Sequence, residues 1–167
     1  MGQAMTGMPA DASAAVITVS DRSFAGDRPD SSGPLLANGL KTFGFSVGDV
    51  VVVPDEEDAI ESALRSGIAQ GCDVVATTGG TGLAPRDVTP EAASRVVERF
   101  VPGIAEALRS SVSKDLPTSI LSRAVAGISG RTLIVTLPGS TGGVRDGLAV
   151  LEPVIGHVVA QLRGADH

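Results

Sequence analysis

The run Gly79-Gly80-Thr81-Gly82, preceded by Thr78, is the strongest chemical signal in the sequence. Glycines allow positive φ and let main-chain N–H groups approach an anion closely, and threonine adds hydroxyl donors, so the run suits a phosphate. The competing reading is a tight strand-to-helix turn that binds nothing. No Gly-Lys-Ser/Thr follows, so this is not a P-loop, and Pro85 stands where the dinucleotide fingerprint has its third glycine. Just downstream, Arg86 has the chemistry to grip a phosphate and Asp87 to hold Mg²⁺ through carboxylate oxygen. Asp55 follows another apolar run and opens an acidic stretch; taken alone it reads as a helix N-cap. Asp55 and Asp87 together, beside a phosphate cradle, suit magnesium-assisted transfer. Ser20-Asp21-Arg22 and Pro138-Gly139-Ser140 close two further apolar runs. Ser119, Ser122 and Arg123 form a short polar stretch that reads as surface. Cys72 has no histidine near it in sequence, and neither His157 nor His167 has a metal-like partner. No Ser-His-Asp or Cys-His arrangement suggests itself, so an enzyme here would use a nucleophile carried by its substrate, with the protein supplying position and charge.

The elements that position these residues follow from apolar runs and breakers. Residues 14–19 are continuously apolar and rich in β-branched types, the pattern of a strand buried on both faces. A polar loop over 23–32 leads to a helix with Pro34 near its start and Gly44 at its end. Residues 47–53 read as a second strand. The acidic residues 55–58 then open a helix ending at Gly71, where negative charge suits the positive end of the dipole. Residues 73–78 form a third strand, running straight into the glycine loop. Thr89 reads as the N-cap and Pro90 as the first position of the next helix. Pro102-Gly103 starts another helix, and 118–123 is one more helical turn. Residues 124–128 and 132–137 read as two strands joined by Ser129-Gly130-Arg131, a hairpin signal. A last helix covers 144–161, with a break expected at Pro153. The order predicts an α/β fold: three layers, α/β/α, with a mostly parallel central sheet and an antiparallel hairpin edge. In such sheets ligands bind beyond the carboxyl ends of the strands. The loops after Val19, Val53, Thr78 and Leu137 are therefore expected to converge on one rim.

Composition narrows the function classes. The 167 residues predict one domain over 14–165, with 1–13 a small, polar, disordered tail. Thirteen basic against 19 acidic residues give a net charge of −6, and there is no Trp or Tyr. Neither a basic field nor stacking platforms are present, so nucleic acid is not an expected partner. One cysteine excludes a disulfide framework. No apolar run approaches a membrane span and no signal segment opens the chain, so no membrane association and a cytoplasmic location are expected. The 21 glycines exceed the usual share and cluster after apolar runs, where an α/β protein places its working loops.

The motifs Val19-Ser20-Asp21-Arg22, Pro54-Asp55, Thr77-Thr78-Gly79-Gly80-Thr81-Gly82, Arg86-Asp87-Val88-Thr89-Pro90-Glu91 and Leu137-Pro138-Gly139-Ser140 resemble, in order and spacing, the molybdopterin-binding MoaB/Mog family. The resemblance runs from about Ala14 to Leu162. It implies a three-layer α/β fold, commonly a homotrimer, and a role in molybdenum cofactor synthesis alongside other proteins of that pathway. The implied reaction is Mg²⁺-dependent adenylylation: the terminal phosphate of molybdopterin attacks the α-phosphate of ATP and pyrophosphate leaves. By the same resemblance Asp55 and Asp87 are the carboxylates for Mg²⁺ and transfer. Gly79, Gly80, Thr81 and Gly82 correspond to the loop at the nucleotide and pterin phosphates, with Thr78, Arg86 and Thr89 as further candidates for binding substrate or nucleotide. Ser20, Asp21, Pro138, Gly139 and Ser140 correspond to further pocket positions. The alternatives are a molybdopterin binder of the same fold that catalyses nothing, and an interaction subunit whose glycine loop is only a turn. The sequence departs from the family after Ser140, where Thr141-Gly142-Gly143 replaces the frequent proline and polar or basic residue. Arg145, the next base, is the candidate for a neighbouring role.

Overall fold

Runs of β-branched residues build the centre of the sheet, and their alternation builds two cores. The computed structural model describes residues 7–165. Strand β1 (Ser13–Val19) lies between β4 (Val74–Thr78) on one side and the short strands β2 (Ser46–Val47) and β3 (Val51–Val53) on the other, all parallel. β4 pairs in parallel with β7 (Thr132–Leu137). β7 pairs antiparallel with β6 (Ala126–Ser129), and β6 with β5 (Arg99–Phe100). The order across the sheet is β2-β1-β4-β7-β6-β5, with β3 also on β1.

Because successive side chains point to opposite faces, Val16, Val74, Ala76, Leu133 and Val135 face one way. There they meet Leu36 and Leu40 of α2 (Ser32–Thr42), Ile104 of α5 (Pro102–Ser110), and Leu151 and Ile155 of α6 (Thr141–Leu162). Ile17, Val19, Val75 and Ile134 face the other way, against Ile60 and Leu64 of α3 (Glu57–Ala69) and Ala92, Ala93 and Val96 of α4 (Thr89–Val96). The result is the three-layer α/β/α arrangement. A four-residue α1 (Asp21–Phe24) follows β1, and a 3₁₀ helix spans Pro117–Leu121. Among the described residues no helix is long and apolar enough to cross a membrane.

Four local expectations change. The expected strand over 47–53 is two pieces. Ala14 pairs Val47 and Ile17 pairs Val51, so the outer strand carries one residue more than its partner and bulges at Gly48–Val50. β5 has no periodic signature, being two residues long, and it covers the outer edge of the hairpin. Helix α6 passes through Pro153 unbroken. Pro153 and Ala149, whose carbonyl loses its partner, both lie on the solvent side, while Leu151, Ile155 and Val159 hold the helix to the core.

The fourth change is at the amino end. Residues 1–6 of the expected tail lie outside the described residues, but the segment before β1 is packed: Ala12 is fully buried and Met8 lies against the core. Arg163, just past α6, fastens it. Its Nε and Nη2 donate to the two Asp73 oxygens at 2.8 Å each, and its Nη1 donates to Asp11 Oδ1 at 2.7 Å. Burial pushes the Asp73 carboxyl up, but the bonds from Arg163 and the Ser13 amide outweigh it and hold it below the usual aspartate value of 3.8. A depressed carboxyl contributes stability above its unfolded pKa, lost as pH falls through the folded one. Arg163→Ala takes the cation from a buried carboxylate that then keeps only the Ser13 amide, and is expected to cost about 2–3 kcal/mol at pH 7. Urea titrations of both proteins should show this difference shrinking as the pH falls into the acid range.

Candidate active site

Parallel register gathers the candidate residues. Thr18, Thr78 and Leu137 stand level across β1, β4 and β7, and Val19 stands level with Val53. The four loops that follow therefore leave the sheet at one rim. The turn after β4 is sealed by main-chain contacts: Gly79 N donates to Leu137 O at 2.9 Å, and a Cβ on Gly79 would stand 2.2 Å from Val19 O. With φ of +105° at Gly79 and +67° at Gly80, two successive residues adopt the left-handed region that glycine tolerates. Gly139 packs on the same turn; its Cβ would lie 3.2 Å from Gly79 Cα.

The carboxylates are tied together. Asp21 N donates to Asp55 Oδ2 at 2.8 Å, and Asp55 N donates to Asp21 Oδ1 at 3.0 Å. This exchange, rather than an N-cap, is what Asp55 does: α3 begins after Glu56, whose side chain makes no cap bond. Arg86 binds Asp21 through both oxygens, Nε to Oδ2 at 2.5 Å and Nη2 to Oδ1 at 2.9 Å. The arginine holds the Asp21 carboxyl below its ordinary value. Asp55 moves the opposite way. Burial raises it first; the bond from the Asp21 amide opposes, and the negative charges of Asp21 and Asp87 add to the rise. Asp87 Oδ2 accepts from Ala84 N at 3.0 Å. Thr89 is not an N-cap either. It is the first residue of α4, fully buried, and its hydroxyl donates to Gly79 O at 2.9 Å, fixing the turn to the helix. The Thr78 hydroxyl is likewise taken up by Pro138 O, at 2.7 Å. Ser20 and Ser140 cap α1 and α6, accepting from Ser23 N at 3.2 Å and Gly143 N at 3.0 Å.

Two clefts open on this rim. The first, about 500 Å³, is polar and brings together Ser20, Asp21, Asp55, Thr78, Gly79, Gly80, Asp87, Gly139 and Ser140. The second, about 460 Å³, has Leu108, Val112, Leu116 and Leu121 in its walls, with Thr81, Gly82, Pro138, Ser122 and Asp146 among them. Gly80, Asp87, Gly139 and Ser140 line both. Arg86 and Thr89 line neither: Arg86 borders a separate, more open hollow beside Asp55, and Thr89 is buried under the glycine turn. Arg145 is exposed and lines neither, whereas the next residue, Asp146, lines the second cleft.

Several residues of the site carried little sequence signal. Asp30 lines the first cleft, accepting from Thr18 Oγ1 at 2.7 Å and from Gly33 N at 3.0 Å at the start of α2. An Asp three residues before a helical Gly is a legible Asx-type signal. Arg28 lines the same cleft from the polar loop. Ser122 and Arg123, which read as surface, belong to the site. The Ser122 Oγ is buried without a hydrogen-bond partner. Arg123 bonds the glycine loop and the Asp87 segment. Nothing local in sequence marks either one.

Among the described residues no group of three or more His, Cys, Asp or Glu stands ready as a metal site. Magnesium needs less: it keeps several waters and takes one or two carboxylates plus substrate phosphate oxygens. Asp55 and Asp87 fit that demand. A Cβ on Gly80 would stand 3.3 Å from Asp55 Oδ1, and one on Gly82 2.8 Å from Asp87 Oδ2, so each carboxylate borders space that a glycine leaves open.

Residues 15–157 match the family described as the probable molybdopterin binding domain. The chain belongs to that family. It is 43% identical over 164 residues to a molybdenum cofactor biosynthesis bifunctional protein of Synechococcus elongatus, covering 98% of this chain and 51% of that protein. It thus spans about half the length of that relative. It is 38% identical over 152 residues to the molybdopterin adenylyltransferase of Helicobacter pylori, covering 89% of this chain and 86% of that one. The crystal structure of a molybdopterin biosynthesis protein from Mycobacterium abscessus superposes with a TM-score of 0.86 at 45% identity, covering 90% of this chain and 96% of that one. The three-layer family fold expected from the motifs is the fold observed.

The glycine turn gives a direct test. Gly79→Ala places a methyl on Val19 O in a strained conformation and is expected to destabilise by about 3 kcal/mol or more. Gly142→Ala, in the first turn of α6 with nothing within 4 Å, is expected to be neutral or stabilising by up to about 1 kcal/mol. Paired thermal melts check both.

Proposed function

We propose that this protein acts in molybdenum cofactor biosynthesis as a molybdopterin adenylyltransferase, transferring AMP from Mg-ATP to the terminal phosphate of molybdopterin. The observation that carries the reading is the pair of unlike clefts meeting at Gly80, Asp87, Gly139 and Ser140. The polar cleft suits a triphosphate: Gly79 and Gly80 let an anion approach the main chain closely, and Arg28 is among its lining residues. The apolar-walled cleft suits a flat heterocycle with a polar rim. Its unpartnered Ser122 hydroxyl is a donor for a polar substituent, and Asp146 is an acceptor suited to the amino-pyrimidine edge of a pterin.

In the reaction a terminal oxygen of the molybdopterin phosphate forms a bond to the α-phosphorus of ATP. The bond from that phosphorus to the bridging oxygen breaks, and pyrophosphate leaves with its electron pair. Both reacting groups are anionic, so the protein's task is to hold them in line and offset their charge. Bound at Asp55 and Asp87, Mg²⁺ would supply the neutralising charge. The Asp21–Asp55 exchange holds one carboxylate in place, and the Ala84 amide holds the other. Arg86, at the outer side of Asp21, keeps that third acid ionised and occupied, so it does not compete for the phosphates' cation. Similarity to the Helicobacter pylori enzyme supports the same reading.

Pyrophosphate release from Mg-ATP and molybdopterin tests the proposal. Binding of both without release would favour a non-catalytic molybdopterin binder, and calorimetry showing no binding of either would favour a scaffold. Asp87→Asn is expected to lower kcat by about 10²–10³-fold with the melting temperature unchanged. Ser122→Ala and Asp146→Ala are expected to weaken molybdopterin binding about tenfold each and to leave ATP binding as it was, as read by calorimetry.

A further inference from the structure

Arg123 lines neither cleft, yet it is bonded to three separate parts of the site's framework. Its main-chain N donates to Thr81 O at 2.8 Å. Its Nε donates to Gly82 O at 2.9 Å and its Nη2 to Asp87 O at 2.6 Å. Its Nη1 is bound by Glu91, in the first turn of α4. Three carbonyls from two ends of one loop are thus turned toward a single residue: its main-chain N takes Thr81 O, and its planar fork takes Gly82 O and Asp87 O together, as a flexible ammonium cannot.

We propose that Arg123 is a positioning residue for phosphoryl transfer: it sets the orientation of the glycine-loop amides and the place of Asp87 at the junction of the two clefts. The proposal rests on the adenylyltransferase reading for its effect on rate, but not for its geometry. In a trans peptide the C=O and the following N–H point opposite ways. Holding Gly82 O with the guanidinium turns the Leu83 N–H the opposite way, and the main-chain bond to Thr81 O does the same for the Gly82 N–H, at residues 81 and 82 that line the second cleft. Holding Asp87 O fixes the main chain from which the Asp87 carboxylate reaches both clefts. Ser122, one of the residues lining the apolar cleft, is the preceding residue, so one anchor serves the second cleft and the acid between the two. Magnitudes separate this role from a stabilising one. The side chains of Arg123 and Glu91 are 37% and 43% exposed, and an ion pair so hydrated adds little to folding. A displacement of about 1 Å at a reacting centre, in contrast, can cost about 10²-fold in rate.

The test uses the full chain with Arg123→Ala and Arg123→Lys. In pyrophosphate release, Arg123→Ala is expected to lose about 10²-fold in kcat while KM for ATP and for molybdopterin moves less than about threefold. Arg123→Lys keeps the charge but not the fork and is expected to be similarly impaired; it also serves if the alanine variant does not fold. Amide hydrogen exchange of the unliganded protein is expected to quicken at Leu83 and Val88, whose peptide carbonyls lose the guanidinium, in both variants, with the melting temperature held. Wild-type kcat in the variants, a loss confined to KM, or unchanged exchange at those amides would each overturn the proposal. If the wild-type protein itself releases no pyrophosphate, the adenylyltransferase reading fails separately, and the exchange measurement alone then decides whether Arg123 orients the loop.

Discussion

At Gly79 there is room for a hydrogen atom and nothing larger. The main chain of the turn after β4 lies against the Val19 carbonyl on one side and against Gly139 on the other. Three strand ends are thereby brought into backbone contact at the point where the loops diverge. The rest of the rim depends on this contact. It sets the direction in which Gly80 leaves the sheet, lets Thr89 reach back to the Gly79 carbonyl, and brings the loops after β4 and β7 together so that two clefts share one wall. A side chain there would separate the strands or move the turn, and either change would pull the clefts apart.

Charge is organised around the same rim in two grades. Asp21 is paired with Arg86 and held ionised, while Asp55, one peptide bond exchange away, is half-buried among other acids and held above its ordinary value. Two chemically identical groups are thus driven in opposite directions by what surrounds them. The site has an excess of negative charge before any substrate arrives, on the side where anionic substrates are proposed to bind. A cation between the acids and the phosphates would offset that charge, which is the physical content of the magnesium proposal.

The framework behind the site is built from bonds between residues far apart in sequence. Arg123 connects the approach to β6 with the glycine loop and the start of α4, and Arg163 connects the end of α6 with β4 and the segment before β1. In sequence both are single arginines beside unremarkable neighbours. Periodicity reads an element's own burial, and glycine and proline read its ends; neither reads a partner supplied by another element. The same limit explains Asp55 and Thr89. Their positions before or at a helix start fit a capping role locally, and only the neighbouring strand loops, Asp21 in one case and Gly79 in the other, offered them stronger partners.

By itself the sequence determined the layers, the mostly parallel sheet and which loops leave it at one rim. Those follow from local causes: β-branched runs that need two buried faces, helices with one apolar stripe, and glycines where the chain must turn sharply. The tertiary structure alone decided which residues of each loop line the clefts. It decided that Pro153 sits in a continuous helix, that Ser122 is among the residues of the apolar cleft, and that Arg86 and Arg123 line neither cleft. Those outcomes are set by strand register and by competition among hydrogen-bond partners, and both are properties of the assembled sheet, not of any segment within it.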